Sequence, residues 1–434
     1  MKKDVKIKLL EAQRKFIEIP HDFSLDVAVY QGGFGSGKTF AGSLLGILLC
    51  LKYPKILGLV GALTYPLVRD TTLATYFQHL ATMGFKERKD FKFYKTEQKL
   101  KFKNGSQILF RHFQDSVKLK SLNLGFAQIE EMSDVDFSIF KMLLGRLRQT
   151  ILPNWKNFQY RLFAHTNPQE HKGWIYKTFG QNPPPNYRLI IAPTTENIYL
   201  PKDFCNELKK VYDEKYYRMN VLGEWGDYAS GKVVRNFTEE NIKNIRYNAD
   251  LPLHISCDFN VDPMCWILAF VSENNVYFFD EIVEECTTTA LCVDIFAQKY
   301  KAHKGQIIIN GDASGDNRSC TSEYTNYVIM KNRLLKHGFS KIDIQIKPFN
   351  PPIKNRIIAF NSLIKSFEGE RHLFVDRKCE KLLYNIENLS YKSGTSKIDV
   401  PSIWQIKQNS ELKFLSHPFD AASYLVEYYF PAKL

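Results

Sequence analysis

The sequence is poor in the residues that build extracellular and membrane proteins. Its eight cysteines are scattered over 434 residues. They form no C-x-x-C pair and have no histidine-rich cluster beside them, which argues against a zinc site or a disulfide framework and fits a reducing cytosol. No apolar run approaches the roughly 20 residues that a membrane-spanning helix needs. Met1-Lys2-Lys3-Asp4 leads into no signal-peptide core. Internal repeats and low-complexity tracts are also missing, which excludes solenoids and disordered arrays. Acidic residues are in deficit: 46 Asp plus Glu stand against 59 Lys plus Arg, a net charge of +13. That excess points to a polyanionic partner, nucleic acid before an acidic membrane surface. The remainder, 44% hydrophobic and 14% aromatic, describes a folded chain long enough for two or three domains. The expectation is a soluble intracellular protein.

The most specific stretch is Gln31 to Thr39. From Gly32 it matches G-x-x-x-x-G-K-[ST], between the apolar run Val27-Ala28-Val29-Tyr30 and a helix-like segment over 40–51. Gly32, Gly35, Ser36 and Gly37 let consecutive backbone N–H groups curl round a phosphate at a helix N-terminus. Lys38 would reach the outer phosphates and the Thr39 hydroxyl would hold a magnesium ion, so the loop predicts binding of a nucleoside triphosphate. Upstream, residues 4–18 read as an amphipathic helix carrying Gln13, Arg14 and Phe16. Gln13 is there either an adenine contact or an ordinary surface glutamine.

Strands are expected at 56–60, 107–112, 125–129 and 160–164, with a helix near 71–83, an alternation that implies a parallel sheet. Residues 86–103 carry eight basic and three acidic side chains interleaved with Phe91, Phe93, Tyr94 and Phe102. They form a DNA-facing surface or a solvated hairpin face. The strand at 125–129 ends in Glu130-Glu131, about 90 residues past the loop. An acidic residue at such a strand end supports magnesium beside the loop, and a second can deprotonate the attacking water. Glu130 takes the metal role and Glu131 the base. A helical segment with Arg146 and Arg148 follows. The strand at 160–164 then ends in His165-Thr166-Asn167-Pro168, whose small polar residues either sense the γ-phosphate or make a common turn. Residues 181–201 read as loop and connector, 202–219 as a polar helix, and 231–245 as hinge.

A different pattern begins at His254. Strands are expected at 254–260, 265–271 and 276–282, then a helix at 288–302 and a buried strand from Gln306 towards Asp312. After these come a helix near 323–337, a strand at 342–347, a helix at 353–367, a strand at 372–376 and a last helix from His417-Pro418-Phe419-Asp420. Three strands followed by helix–strand alternation, with aspartates at a first strand, a later strand end and a last helix start, make an RNase H-like layout. Two-metal phosphodiester cleavage needs several hard oxygen ligands converging on one point. Asp258, Asp312 and Asp420 are the three candidates, with Asp262 and Glu281 secondary and His417 a possible assistant. Singly, Asp312 also suits a turn and Asp420 a helix start.

Taken in order, these pieces resemble the large terminase subunits of tailed phages and prophages almost end to end. The resemblance rests on Gly-Gly-Phe-Gly-Ser-Gly-Lys-Thr at 32–39, Ile-Glu-Glu at 129–131 and Thr-Asn-Pro at 166–168. It continues through Trp174-Ile175-Tyr176, Asn197-Ile198-Tyr199-Leu200-Pro201 and Gly223-Glu224-Trp225. It implies an α/β chain with a P-loop (ASCE, RecA-like) ATPase domain over 1–228, including a linker subdomain near 181–228. A hinge and an RNase H-like nuclease domain follow over 229–434. It further implies adenine contact at Gln13, catalysis at Glu131 and coupling at Thr166 and Asn167. The implied cofactors are ATP with Mg2+ in the first site and Mg2+ or Mn2+ in the second. The implied partners are double-stranded DNA, a portal protein, a small terminase subunit and further copies in a ring, in the cytoplasm of a bacterial host. Many members carry an arginine inside the phosphate loop where this chain has Phe34, and others carry one shortly before the acidic pair, where the nearest basic residue here is Lys120. The arginine finger is therefore sought among Arg69, Arg111, Arg146 and Arg148, in this subunit or a neighbour. The rival readings are an ATP-dependent helicase or repair nuclease, and an inactive ATP- and DNA-binding scaffold. The single phosphate loop counts against the first and the intact acidic residues against the second.

Overall fold

A computed structural model describes residues 6–114, 119–171, 173–226, 231–260, 262–317, 324–392, 395 and 397–432. Packing divides the chain into two compact units, Met1–Cys205 with Lys215–Tyr228, and Asn206–Glu214 with Ala229–Leu434. No helix among the described residues is long and apolar enough to cross a membrane.

The first unit holds β1 Val27–Gly32, β2 Leu57–Ala62, β3 Phe91–Tyr94, β4 Lys99–Phe102, β5 Gln107–His112, β6 Phe126–Ile129, β7 Arg161–Thr166 and β8 Tyr187–Ala192. They form one sheet in the order β3-β4-β5-β2-β6-β7-β1-β8. The strands from β5 to β8 in that order run parallel, while β3 and β4 add an antiparallel edge. Both faces are covered. Val27 and Val29 pack with Leu59, Phe140 and Leu162 on one side, and Ala28 and Tyr30 with Phe16, Leu45 and Phe163 on the other. This is why β1 reads as a continuous apolar run instead of an alternating one. Because β6, β7 and β1 are neighbours, the segments that leave their carboxyl ends meet at one edge, where open α/β sheets bind ligands.

Several elements differ from expectation. The first helix spans only Glu11–Ile17, because the Gln13 side chain accepts from Leu10 N (3.0 Å) and starts it there. The helix expected at 71–83 begins at Tyr65 and contains a π-helical stretch, Val68–Leu73. Arg146 and Arg148 lie beyond the helix Phe137–Leu144, not within it. The expected connector at 181–201 contains β8, which pairs with β1 through Gly32↔Ala192. Its pairing partner lies some 160 residues earlier, and no local pattern announces that. The polar helix at 202–219 is two, Phe204–Val211 and Glu214–Asn220.

The second unit holds β9 Leu253–Asp258, β10 Met264–Val271, β11 Val276–Glu284, β12 Ile307–Gly311, β13 Ile342–Ile344 and β14 Leu373–Val375, in the order β13-β12-β9-β10-β11-β14. β9, β10 and β11 form an antiparallel meander, β12 and β13 continue parallel beyond β9, and β14 lies parallel to β11. The order is RNase H-like, with one strand added at the β11 edge. The helix His417–Tyr429 crosses the sheet, where Ser256 Oγ donates to Ala421 O at 2.6 Å. Residues 231–245 are not a free hinge: Lys232 bridges Ser390, Ile242 bridges Val375, and Glu239–Asn241 forms a 3-10 turn. Helices Glu380–Asn388 and Ile403–Gln408 were not anticipated.

Candidate functional site

The phosphate loop leaves β1 and enters the helix Lys38–Lys52 with Gly35 at φ 72° and Gly37 at φ 78°. A Cβ on Gly32 would stand 2.3 Å from Ser36 Oγ, so the loop closes only around glycine there. Ser36 Oγ is buried without a partner in the fold. Lys38 is buried and donates to Gly32 O (2.9 Å), Gly33 O (3.0 Å) and Asn167 Oδ1 (2.8 Å). Burial pushes its ammonium pKa down, against the pull of Glu131 and Glu130.

Gln13 lies against this loop, buried, its Nε2 donating to Gly37 O at 3.2 Å. The structure thus places it as a brace of the loop glycine. The loop is also clamped from a distance. Phe34 N donates to Asn220 O (2.8 Å), Thr194 Oγ1 to Phe34 O (2.7 Å), Asn197 Nδ2 to Gly35 O (2.6 Å) and Gln31 Nε2 to Gly223 O (3.0 Å). Asn197 and Gly223 belong to the motifs that carried the resemblance, and the clamp gives them a physical role.

Glu130 and Glu131 leave β6 in different directions because Glu131 takes the left-handed conformation, φ 46°, a strained choice for a non-glycine residue. Glu130 is fully buried. It accepts from Thr39 Oγ1 (2.6 Å) and Gln128 Nε2 (3.3 Å), and its Oε2 meets His165 Nδ1 at 3.0 Å. Burial alone would raise the Glu130 pKa, but His165, Thr39 and Gln128 outweigh it and hold it below the usual carboxylate value. Glu131 accepts from Asn167 Nδ2 (3.1 Å), and burial, with Glu130 and Asp134, pushes its pKa up against Lys38. Two adjacent carboxylates pushed in opposite directions suit two roles, one favoured as the anion and one as a proton acceptor. Thr39 and Glu130 offer the hard oxygens a magnesium ion prefers, and the orphaned Ser36 hydroxyl adds a free polar group in the same loop, so these residues fit a metal–triphosphate.

His165, Gln128 and Tyr76 were missed by sequence reasoning, although for His165 and Gln128 a polar residue inside an apolar strand was the available signal. Tyr76 Oη donates to Gln128 Oε1 (2.7 Å), extending a buried chain from the Ala74–Thr82 helix to Glu130. Gly42 leaves the space for His165: a Cβ there would sit 1.9 Å from its Cε1. Gly42→Ala is therefore expected to destabilise the protein by about 1–3 kcal/mol. Adding it to His165→Ala should cost almost nothing more. Chemical denaturation of the four proteins of this cycle checks the coupling, and purely additive losses would contradict it.

Thr166 is buried and donates to Asn167 O (2.8 Å), while Asn167 joins Lys38 to Glu131. None of the four candidate finger arginines contacts the loop. Arg69 pairs with Asp70 on the surface (2.6 Å), and Arg111 donates to the carbonyls of Glu97, Gln98 and Phe110. Arg146 donates to Lys120 O and Arg148 to Asn123 Oδ1 (2.8 Å), beside the residues that enter β6. Those two sit at the far end of the sheet from the loop. Phe34 itself faces Tyr216, ring centroids 6.4 Å apart.

In the second unit, register places Gly311 opposite Cys257, so Asp312 and Asp258 leave neighbouring parallel strands side by side, with Asp312 N donating to Cys257 O at 3.0 Å. Asp420 sits in the first turn of the helix His417–Tyr429. Burial raises its pKa, the charge of Asp258 adds to this, and Arg356 opposes it. Burial likewise raises the Tyr424 pKa; Arg356 opposes this, and Asp312, Asp420 and Asp258 all add to it. The three aspartates thus share one neighbourhood, but each is held by protein partners. Asp258 accepts from Asn260 Nδ2 (2.6 Å) and faces His417 Nδ1 (2.9 Å). Asp312 accepts from Ser314 N (2.7 Å) and Asn350 Nδ2 (2.6 Å), and Asp420 from Arg356 (2.8 Å). Among the described residues no group of three His, Cys, Asp or Glu closes to the distances of a shared ion. The expected convergence is therefore not seen, since three carboxylates repel and each takes a nearby donor. As a set of hard oxygen donors they still fit magnesium or manganese in kind.

The secondary candidates are each held by other partners, although the Cys265 thiol, its pKa raised first by burial, is acted on by Glu281 together with Asp258 and Asp420. Glu281 is a helix cap: it accepts from Lys381 N (2.7 Å) and Leu382 N (3.0 Å), and burial pushes its pKa up to about 7 against those bonds. Asp262 pairs with Lys413 (3.4 Å).

Residues 25–224 match the family model of the phage terminase large subunit. The PBSX phage terminase large subunit of Bacillus subtilis (strain 168) is 29% identical over 217 residues, 45% of this chain and 48% of that protein. The chain thus aligns with about half the length of that curated relative. The large terminase of a thermophilic bacteriophage shares the fold from end to end, with TM-score 0.63 at 14% identity over 97% of this chain and 99% of that one. The complex of that terminase with ATP-gamma-S gives TM-score 0.62 at 13% identity with the same coverage. Residues 25–224 thus match the phage terminase large-subunit family in sequence, and the chain as a whole shares its fold with a solved large terminase.

Proposed function

We propose that the chain is an ATP-driven motor that moves double-stranded DNA into a procapsid, and a metal-dependent endonuclease that cuts the packaged concatemer. The observation that carries the first activity is the Lys38–Asn167–Glu131 chain. The phosphate-binding lysine and the candidate base meet on one amide at the carboxyl end of β7. ATP would lie in the loop, its outer phosphates drawing Lys38 from the Gly32 and Gly33 carbonyls. Glu131 takes the proton of the attacking water, and Asn167 registers the change through its two partners. Thr39 and Glu130 would hold the magnesium ion that neutralises phosphate charge. The complexes of the thermophilic phage's large terminase with ATP-gamma-S and with ADP support a nucleotide in this fold.

For cleavage, Asp258, Asp312 and Asp420 would hold magnesium or manganese, which supplies an activated water and steadies the leaving oxygen. His417 orients Asp258, and Arg356 fixes Asp420 from the helix Ile353–Ile364. The division into a motor of 1–228 and a nuclease of 229–434 belongs to the same proposal. So do an adenine contact near Gln13, an arginine finger supplied by a neighbour in a ring, a portal and small terminase subunit as partners, and the host cytoplasm as the place of action. The net charge of +13 supports contact with DNA phosphates.

The test is direct. The purified full chain should hydrolyse ATP, faster with duplex DNA present, and should nick or linearise plasmid with manganese but not with EDTA. A chain that neither turns over ATP nor cuts DNA under any of these conditions is not this motor.

A further inference from the structure

The β3–β4 hairpin at the edge of the first unit's sheet concentrates charge. Residues 86–103 hold eight basic and three acidic side chains, a net +5 of the +13 of the whole chain. In register, Phe91 pairs with Phe102 and Phe93 with Leu100, while Lys92 stands opposite Lys101 and Tyr94 opposite Lys99. Phe91, Leu100 and Phe102 are buried, which pins the register: a shift of one residue would turn the lysines into the core. Lys92 and Lys101 are exposed on the other face, one directly across from the other. Like charges in directly opposed cross-strand positions destabilise a sheet. Lys92 and Lys99 also share one ring, their Nζ atoms 4.7 and 5.0 Å from the Tyr94 centroid. Of the eight cations only Lys99 has a carboxylate partner among the described residues, Glu97. The fold thus holds a cluster of cations together without neutralising it.

We propose that this outer face, built on Lys92, Lys99, Lys101 and Tyr94, tracks the phosphate backbone of double-stranded DNA. The proposal rests on the DNA-motor reading and adds the surface through which the first unit grips its substrate. Neighbouring lysines lie about 6.8 Å apart along a strand and about 4.8 Å apart across strands, a dense point-charge array with no base-reading geometry. Binding here is therefore independent of sequence and falls with salt. The rival role for lysines on an edge strand is to block sheet-to-sheet aggregation. That role needs no DNA, and the two separate cleanly by experiment.

The experiment measures fluorescence anisotropy of the full chain on a labelled duplex of about 30 base pairs between about 50 and 200 mM salt. It compares the wild type with Lys92→Gln/Lys101→Gln and with Lys101→Glu. Loss of two phosphate contacts should flatten the log–log salt slope by about 2 and weaken binding equally for unrelated sequences. Lys101→Glu should weaken binding too, yet raise Tm, because it pairs with Lys92 and removes the opposed charges. ATP turnover without DNA should be unchanged in both variants. Wild-type binding with unaltered slopes in the variants would overturn the proposal and leave an edge guard or a dock for an acidic protein. No salt-dependent binding by the wild type would instead overturn the DNA-motor reading, and this surface with it.

Discussion

Glu131→Gln is expected to lower ATP turnover by roughly 10²–10⁴-fold, the range that a positioned general base supplies. The amide keeps the size of the carboxylate and a bond to Asn167, but it cannot take a proton. Metal-dependent cutting of plasmid should persist in this variant, since Glu131 belongs to the first unit and the three aspartates to the second. Steady-state phosphate release read beside plasmid digestion decides the matter, and equal loss of both activities would undo the division of labour. The environment of Glu131 sets the sign of a pH effect. Its folded pKa lies above the unfolded one because burial disfavours the charge. Ionising it therefore costs stability as pH rises through the carboxylate range. Glu130 behaves oppositely. Its lowered pKa contributes stability above the unfolded value, and that stability is lost as pH falls through the folded one. In Glu131→Gln the first contribution disappears, so the variant should gain stability relative to wild type at neutral pH while losing turnover.

Asp258→Asn is expected to do the reverse, abolishing plasmid cutting while ATP turnover stays at the wild-type level. Asp258 stands at the end of the central strand β9, beside Asp312, and its charge reaches Asp420. An amide there removes a hard anionic donor. The loss should exceed the roughly 10–100-fold that even the outer partners of a metal site cost when altered. Manganese titration followed calorimetrically supplies a second readout, in which the variant should lose the tighter binding event. Cleavage at the wild-type rate would remove the acidic cluster of the second unit from this account. His417→Ala should act more mildly, because His417 only orients Asp258 through one bond.

Much of the molecule is legible in its sequence. The phosphate loop is a local motif whose glycines, lysine and threonine are contiguous, so its chemistry is written in nine residues. The apolar run of β1, and the strands β6 and β9 with the acids that end them, were also plain, because a strand buried on both faces has a composition of its own. What lay beyond reach depended on partners distant in sequence. β8 looked like a connector until β1 took it as a neighbour. Gln13 carries no sign that it braces Gly37. His165 and Gly42 explain each other only once β7 crosses the helix Lys38–Lys52.

The sequence by itself therefore determined the chemical parts of this protein: a phosphate cradle, two carboxylates behind it, and three aspartates in an RNase H-like succession of elements. Tertiary structure decided what each part is joined to. Strand order put Asn167 between Lys38 and Glu131, and a left-handed turn at Glu131 sent two adjacent acids to different surroundings. It also set Glu281 at the start of the helix Glu380–Asn388 and Arg146 and Arg148 at the opposite end of the sheet from the loop. The physical reason is that residue type fixes what a side chain can do, whereas a carboxylate's pKa and partners are set by burial and by neighbours that only the folded chain supplies.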